Sequence, residues 1–307
     1  MTIPPRHVII VAIEKNRPTR KICGILRLLF ALHIIPQQDN EREICMNTIK
    51  VVTFNARCVY FDKTGESDGV RSFIFRAGYI YDKIQHENPD IILFQEFFKG
   101  HLDIMKKLLC EYEFFGHFRG EDFSGEGVYT AVKREKFQIL GIDSYWLSPT
   151  PYTPGSRYEN QSECPRTCLT IKVRDIVSGK IFRVLNTHLD HVSDEARILG
   201  IKQILEHLCK ENTEDKIPCI IGGDFNAKPL SETIAYCNNF DKIKLFDITD
   251  NIPVTFHNWG KMQEKIDYIY VSEDLKDKVQ SVYAWEDEIY GMYLSDHYPV
   301  CAQFVTE

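Results

Sequence analysis

Short apolar runs that stop on a polar residue recur along this chain, and they limit its fold more than any other feature. The clearest is Ile217 to Pro229, Ile-Pro-Cys-Ile-Ile-Gly-Gly-Asp-Phe-Asn-Ala-Lys-Pro. A run this short and this apolar reads as a buried strand. It is expected to end at Gly222-Gly223, where the backbone gains freedom to turn and to admit a close neighbour. Asp224 and Asn226 follow two residues apart, and in an extended chain such residues share a face. A carboxylate accepts protons and holds metal, while an amide both donates and accepts hydrogen bonds. Taken alone, the segment is also an ordinary turn, because Gly, Asp and Asn favour turns. Four other runs that end in the same way argue against that reading.

From Ile49 onward the pattern is regular. Residues 49–55 read as a strand closing on Asn55. Residues 71–88 read as a helix with Phe73, Ala77, Ile80 and Ile84 on one side, stopped by Asn88-Pro89-Asp90. Residues 91–96 form a second apolar strand ending at Glu96, and a short helix is expected over 102–110. Further strands are expected over 127–133, 166–174 and 181–189, the last leading into His188. Ser193 caps an amphipathic helix over 195–210. Later strands are expected over 265–271, 279–285 and 298–305. This is one α/β (α+β) domain, residues 48–307, with too many strands for one flat sheet and a few helices outside.

The 307 residues are 44% hydrophobic and 26% charged, enough for a large core. The net charge of -7 disfavours a broad grip on duplex DNA, which normally needs a basic protein, but leaves room for a local basic groove. The ten cysteines contain no CxxC pair, and the closest two are Cys164 and Cys168. They read as reduced core thiols of an intracellular protein, with disulfides ranked second. Residues 1–47 differ from the rest. They carry seven Lys/Arg against four Asp/Glu, about +3, and an apolar stretch over 22–35 broken by Arg27 and His33. That stretch is too short to span a bilayer comfortably, and no small-residue cleavage site follows it. A non-native extension is the preferred reading, because Met46 stands just before the first strand; a peripheral anchor and a signal follow. Localisation is accordingly expected to be cytoplasmic, or membrane-peripheral or secreted if this extension is native.

Five strand ends thus carry Asn55, Glu96, His188, Asp224 with Asn226, and Asp296-His297; a sixth strand carries Asp267 among apolar neighbours. Each has an ordinary explanation. Asn55 can cap a turn, Glu96 can be a surface residue, His188 a satisfied core histidine, and Ser295-Asp296-His297 a loop. Asp267 is harder to dismiss, since a carboxylate in an apolar strand needs a partner. If the ends lie on one rim, they put carboxylates, amides and imidazoles around one cavity. Hard oxygen ligands suit Mg²⁺ or Mn²⁺, and a hard metal beside a general base equips a site to attack phosphorus.

This order of motifs resembles the endonuclease/exonuclease/phosphatase superfamily. The resemblance is carried by Thr53-Phe54-Asn55, Gln95-Glu96, Asn186-Thr187-His188-Leu189, Gly223-Asp224-Phe225-Asn226, Ile266-Asp267-Tyr268-Ile269 and Ser295-Asp296-His297-Tyr298-Pro299-Val300. Trp146 to Pro151, Cys164-Pro165-Arg166 and Thr255-Phe256-His257 look like an uncharacterised bacterial-type branch grouped near the deadenylase-like nucleases. The resemblance implies a four-layer α/β/β/α sandwich of two mixed sheets. It implies that Glu96 binds the metal with Asn55 and Asp296 near it. His297 would be the base, oriented by Asp267; Asp224 would align the nucleophile; Asn226 and His188 would hold phosphate oxygens. Arg57 and Arg166 are weaker candidates for gripping phosphate, and Glu126 for supporting the site. Tyr145, Trp146, Tyr152 and Tyr158 read as an aromatic loop, either a packed lid, which is preferred, or a surface for stacking bases.

The expected function is a metal-dependent phosphodiesterase or nuclease of the 3′–5′ RNA exonuclease kind, acting as a monomer on a phosphoester substrate such as single-stranded RNA, with no obligate protein partner. The alternatives are a hydrolase for a small phosphorylated molecule or lipid headgroup, such as an inositol phosphate or sphingomyelin, and a non-catalytic binding module.

Overall fold

The computed structural model describes residues 47–58, 69–213 and 216–306. The readings made for residues 1–46 lie outside the described residues. In chain order the first strands are β1 (Thr48–Asn55), β2 (Ile91–Phe98), β3 (Tyr112–Phe118), β4 (Glu126–Lys133), β5 (Phe137–Trp146), β6 (Thr167–Asp175) and β7 (Ile181–His188). They are followed by β8 (Cys219–Asp224), β9 (Leu245–Asp247), β10 (Asp267–Ser272), β11 (Val279–Ala284), β12 (Glu288–Ile289), β13 (Met292–Tyr293) and β14 (Val300–Val305). The helices are α1 (Phe73–Glu87), α2 (Lys99–Leu108), α3 (Asp194–Glu211), α4 (Glu232–Asn238) and α5 (Glu273–Lys276).

Two six-stranded mixed sheets form, in the orders β11-β14-β1-β2-β4-β3 and β5-β6-β7-β8-β10-β9. Successive residues of a strand point to opposite faces, so a strand apolar on both faces must be covered twice. In β1, Ile49 and Val51 join one core cluster while Val52 and Phe54 join another. In β10, Ile269 and Val271 join the first while Tyr268 and Tyr270 join a third. The first cluster lies between the sheets. The second sits under α1 and α2, and the third under α3 and α4. Three apolar interfaces make four layers, the α/β/β/α sandwich that the resemblance implied.

Most elements lie where periodicity put them. Phe73, Ala77, Ile80 and Ile84 are the buried stripe of α1, and the Ser193 hydroxyl accepts from the Ala196 amide at the start of α3. The differences have physical causes. β3 and β5, not anticipated, are edge strands of their sheets, half-exposed, with an apolar pattern broken by Glu113, Gly116, Gln138 and Gly141. The second helix begins at Lys99 rather than 102. Tyr145 and Trp146 are the last residues of β5 and are buried, so neither can stack a base. Tyr158 packs against the α3 side, with its hydroxyl donating to Gln203 at 2.7 Å, which agrees with a packed segment. Gly222 and Gly223 do not end the strand; both are paired within β8, to Asn186 and Thr187 of β7. Asp267 opens β10 rather than lying inside it. The eight described cysteines are all free, and five of them are buried. No described helix is long and apolar enough to cross a membrane.

His101 of α2 is buried with its ring stacked on Phe73 at 3.9 Å. Burial, then the charge of Arg76, push it from 6.5 down to about 4. The unfolded chain therefore takes up this proton first as pH falls. The contribution to stability is complete above 6.5 and is lost between 6.5 and 4. At pH 5 the unfolding free energy should be about 2 kcal/mol below its pH 7.5 value through this group. Urea unfolding at the two pH values should show that difference shrinking in His101→Leu; an unchanged difference would discard the assignment.

Candidate active site

Strand parity carries four polar side chains to one place. In β1 the inter-sheet residues are Ile49 and Val51, so counting on in twos reaches Thr53 and Asn55. The same count from Val184 in β7 reaches His188, and from Ile220 in β8 it reaches Asp224. Counting back from Ile269 in β10 reaches Asp267. β7 and β8 run parallel and end together, His188 beside Asp224, while antiparallel β10 begins there with Asp267 opposite Asp224. β14 is antiparallel to β1, which brings the residues preceding it, Asp296 and His297, to the end of β1.

Glu96 reaches this rim by a different route. Even-numbered residues of β2 face away from the other sheet, as Ile92 and Phe94 do. A register shift between Phe94 and Phe97 inserts an extra residue, and Glu96 takes φ +59. Such a bulge re-aims a side chain. Phe94 and Phe97 remain stacked on the helix side at 4.3 Å, and Glu96 turns to the rim. The strand continues beyond Glu96 to Phe98, not ending there as the sequence suggested.

The Asn55 amide donates to Glu96 Oε1 at 3.1 Å and to Asp224 Oδ2 at 3.0 Å, tying the two sheets together. His188 Nε2 lies 3.4 Å from Asp224 Oδ2, His297 Nδ1 lies 2.8 Å from Asp267 Oδ2, and His297 Nε2 lies 3.8 Å from Asp224 Oδ2. Asp224 Oδ1 accepts from the Asn226 amide N–H at 2.8 Å, with Asn226 at φ +49. A cavity of about 760 Å³ opens here, and Glu96, His188, Asp224, Asn226, Asp296 and His297 all line it.

Electrostatics follow from burial and neighbours. Burial and Asp267 raise Asp224 to about 7 against the pull of His297. Burial disfavours charge on His297, but Asp267, Asp224 and Asp296 outweigh it and raise the imidazole to about 10. Burial, Arg166 and Arg119 hold His188 well below its usual range, so it is neutral. Burial would raise Glu96, yet Arg57 and hydrogen bonds from Cys58 and Asn55 bring it down to about 2. Burial and Glu96 raise Asp296.

Glu96 and Asp296 suit a hard divalent cation. Asp296 is a buried oxygen donor and Glu96 a half-buried one, each perturbed by the other's charge or by Arg57, whose Nε lies 3.6 Å from Asp296. The structure thus supplies positive charge beside them through Arg57. The Asn55 oxygen accepts the Arg57 backbone N–H at 3.0 Å and its nitrogen serves the two carboxylates, so Asn55 braces the site while its oxygen keeps a second lone pair. Glu126 is buried behind the cavity wall, paired with Arg119 and approached by the Cys58 thiol at 3.0 Å, which also reaches Glu96 at 3.0 Å. Burial, Glu96 and Glu126 push that thiol up, so it stays protonated. Arg166 is buried, not on the surface, and lines the cavity.

Sequence reasoning missed Cys58, Arg119 and Arg197. Cys58 lies past the end of β1 with no periodic signal, and Arg119 follows β3, whose strand character was not legible. Asn186 was named only as part of a motif and given no role; it is fully buried between the sheets, donates to the carbonyls of Phe94 and Tyr129 at 3.1 Å and accepts from Gln95 at 2.9 Å.

Residues 52–297 match the model of the Endonuclease/Exonuclease/phosphatase family, a span that includes every rim residue named above. The chain belongs to this family. Its members are hydrolases acting on phosphoester bonds, and this chain is a phosphoesterase of that superfamily. An uncharacterized protein, L388, of Acanthamoeba polyphaga mimivirus is 27% identical over 253 residues, covering 75% of this chain and 91% of its own. The crystal structure of an endonuclease/exonuclease/phosphatase from Bacteroides vulgatus superposes with a TM-score of 0.77 at 25% identity, covering 85% of this chain and all of that one. The mannosyl-6-phosphatase Bt3783 of Bacteroides thetaiotaomicron gives 0.70 at 24% identity, covering 83% of this chain and 98% of that one, and so shares the fold.

Proposed function

We propose that this family member is a divalent-metal-dependent hydrolase of the phosphodiesterase and nuclease kind, using water activated at His297. The observation that supports this most is the single hydrogen-bonded rim, where Asn55 joins Glu96 to Asp224 across two sheets while Asp267 holds His297 at 2.8 Å. Glu96 and Asp296 would hold Mg²⁺ or Mn²⁺. The bound ion would polarise a phosphoryl oxygen and offset its charge.

The remaining work falls to the protein's own groups. Asp267 fixes the His297 ring through Nδ1 and leaves Nε2 directed to the Asp224 side of the cavity. Without a cation the surrounding carboxylates keep His297 protonated at neutral pH; the charge of a bound ion would weaken that hold, and His297 and Asp224 would then together orient water and take its proton. Neutral His188 and the Asn226 side-chain amide, which gives one hydrogen to the Leu189 carbonyl at 3.0 Å and keeps the other, offer N–H donors to the phosphate oxygens as charge builds on them.

A panel with Mg²⁺ or Mn²⁺ tests this reading, using single-stranded RNA, bis(p-nitrophenyl) phosphate, sphingomyelin, inositol phosphates and mannose 6-phosphate. A phosphodiester should be cleaved, EDTA should remove the activity, and either metal should restore it. Glu96→Gln should raise the metal concentration for half-activity at least tenfold, because one charged ligand is lost. Cleavage that survives exhaustive chelation would sink the metal proposal. The second reading, a phosphatase for a small molecule, draws on the likeness to the mannosyl-6-phosphatase and on the net charge of -7. It is favoured if only sugar or inositol phosphates are cleaved. Cleavage of no phosphoester leaves the binding module.

A further inference from the structure

Beside the catalytic rim, the cavity wall includes Arg166, His191 and Arg197. Arg166 is 3% exposed, yet its Nε and Nη1 make no hydrogen bond. Its nearest carboxylates are Asp190 at 3.7 Å and Glu126 at 4.0 Å, and both are committed elsewhere. Asp190 accepts from the Ser162 hydroxyl and from the amides of Val192 at 3.0 Å and Ser193 at 2.7 Å. Glu126 is paired with Arg119 and accepts the Cys58 thiol. A buried guanidinium with unused donors is costly unless an anion meets it.

Its neighbours face the same demand. Arg166 Nη2 donates to His191 Nδ1 at 2.7 Å, which fixes the tautomer and leaves the other ring nitrogen as an N–H donor. Partial desolvation against the cavity wall, then the charge of Arg166, hold His191 below its usual range, so it stays neutral. Arg197 spends one nitrogen on the Asp190 carbonyl at 2.7 Å and another on Asp194, and its Nε is also unbonded.

Position puts this group beside His188 of β7 but away from the nucleophile side of the rim. Arg166 precedes β6, two strands from β8 with Asp224 and three from β10 with Asp267. At about 4.8 Å per strand, that is roughly 10 and 14 Å across the sheet. We propose that Arg166, His191 and Arg197 form an anion subsite for a second phosphate of the substrate, next to the phosphate that is cleaved. This rests on the reading of the rim as a phosphoester-hydrolysing site. The second phosphate belongs either to the next nucleotide of a strand or to the same small molecule.

Two substrate pairs distinguish these sources: the dinucleotide ApA with and without a 5′-phosphate, and adenosine 3′,5′-bisphosphate against adenosine 3′-monophosphate. In at least one pair, the member with the extra phosphate should show kcat/KM at least tenfold higher. Preference within the first pair assigns a strand, and within the second a small molecule. Arg166→Gln should raise KM for the favoured member about tenfold and bring the ratio toward one, the size expected for charge-assisted hydrogen bonds. His191 is exposed, so His191→Gln keeps the test alive if the buried arginine variant does not fold; it should lower the ratio about threefold. Ratios within twofold in both wild-type pairs, or a variant that slows both members equally, overturn the subsite. If none of the four is cleaved, the hydrolase reading fails separately, and calorimetric titration with inorganic pyrophosphate in metal-free buffer decides. Binding weakened severalfold by His191→Gln supports the subsite; no binding, or binding the variant leaves intact, overturns it.

Discussion

His297→Ala should lower kcat by about three orders of magnitude on whichever phosphoester the protein cleaves, the scale of a lost general base. The substitution removes the imidazole that Asp267 holds at the nucleophile side of the rim, His297 Nδ1 to Asp267 at 2.8 Å. Asp224→Ala should fall in the same range, because Asp224 is the group on which Asn55, His188 and the Asn226 amide converge. Asp267→Asn should cost less than either, since an amide keeps the shape but no longer accepts the Nδ1 proton unambiguously. Circular dichroism and urea midpoints would establish that each protein is folded before its rate is read. A folded His297→Ala protein within tenfold of the wild-type rate removes His297 from the chemistry.

How much of this arrangement was legible in the sequence depends on what kind of signal each residue left. Asn55, His188 and Asp224 stood at the ends of runs apolar on both faces, and such runs are conspicuous because both sides are covered by other layers. The α/β class followed from the same runs, while the four layers were implied by the family resemblance. Glu96 was found as a residue but not as a geometry. Alternation along β2 predicts that it faces away from the rim, and only the extra residue between Phe94 and Phe97 reverses this. A bulge leaves no periodic trace, since it is set by packing of the flanking aromatics. β3 and β5 were missed because outer strands are covered on fewer sides, so Glu113, Gly116, Gln138 and Gly141 interrupt them at little cost. Arg119 was lost with β3. The anion-facing role of Arg166 was half visible: the residue type suggested phosphate, but its burial and unused donors are properties of the assembled wall alone.

The Gly222-Gly223 pair shows why a correct expectation about a residue can rest on the wrong local structure. The chain does not turn there. Both residues are paired inside β8, and glycine is required by what stands opposite. A Cβ on Gly222 would lie 2.5 Å from Leu93 Cδ1 of the facing sheet, a side-chain tip with some freedom to move. A Cβ on Gly223 would lie 2.0 Å from the Thr187 carbonyl oxygen and 2.9 Å from its carbon, backbone atoms of the paired strand. Gly223 also holds φ +153, which L side chains rarely adopt. Gly223→Ala must therefore push β7 and β8 apart just before His188 and Asp224. Steric overlap and backbone strain of this kind each cost about 1–3 kcal/mol, so the expected loss is about 3 kcal/mol or more. Gly141→Ala, at a site with nothing within 4 Å and no positive φ, should change stability by under about 0.5 kcal/mol. Urea unfolding of the two variants makes the comparison direct. Because the strain falls on the pair that carries His188 and Asp224, any folded Gly223→Ala protein should also be impaired in turnover. A loss below about 1 kcal/mol with full activity would show that β7 and β8 yield easily, and the rigid positioning of the rim would have to come from the Asn55 bridge instead.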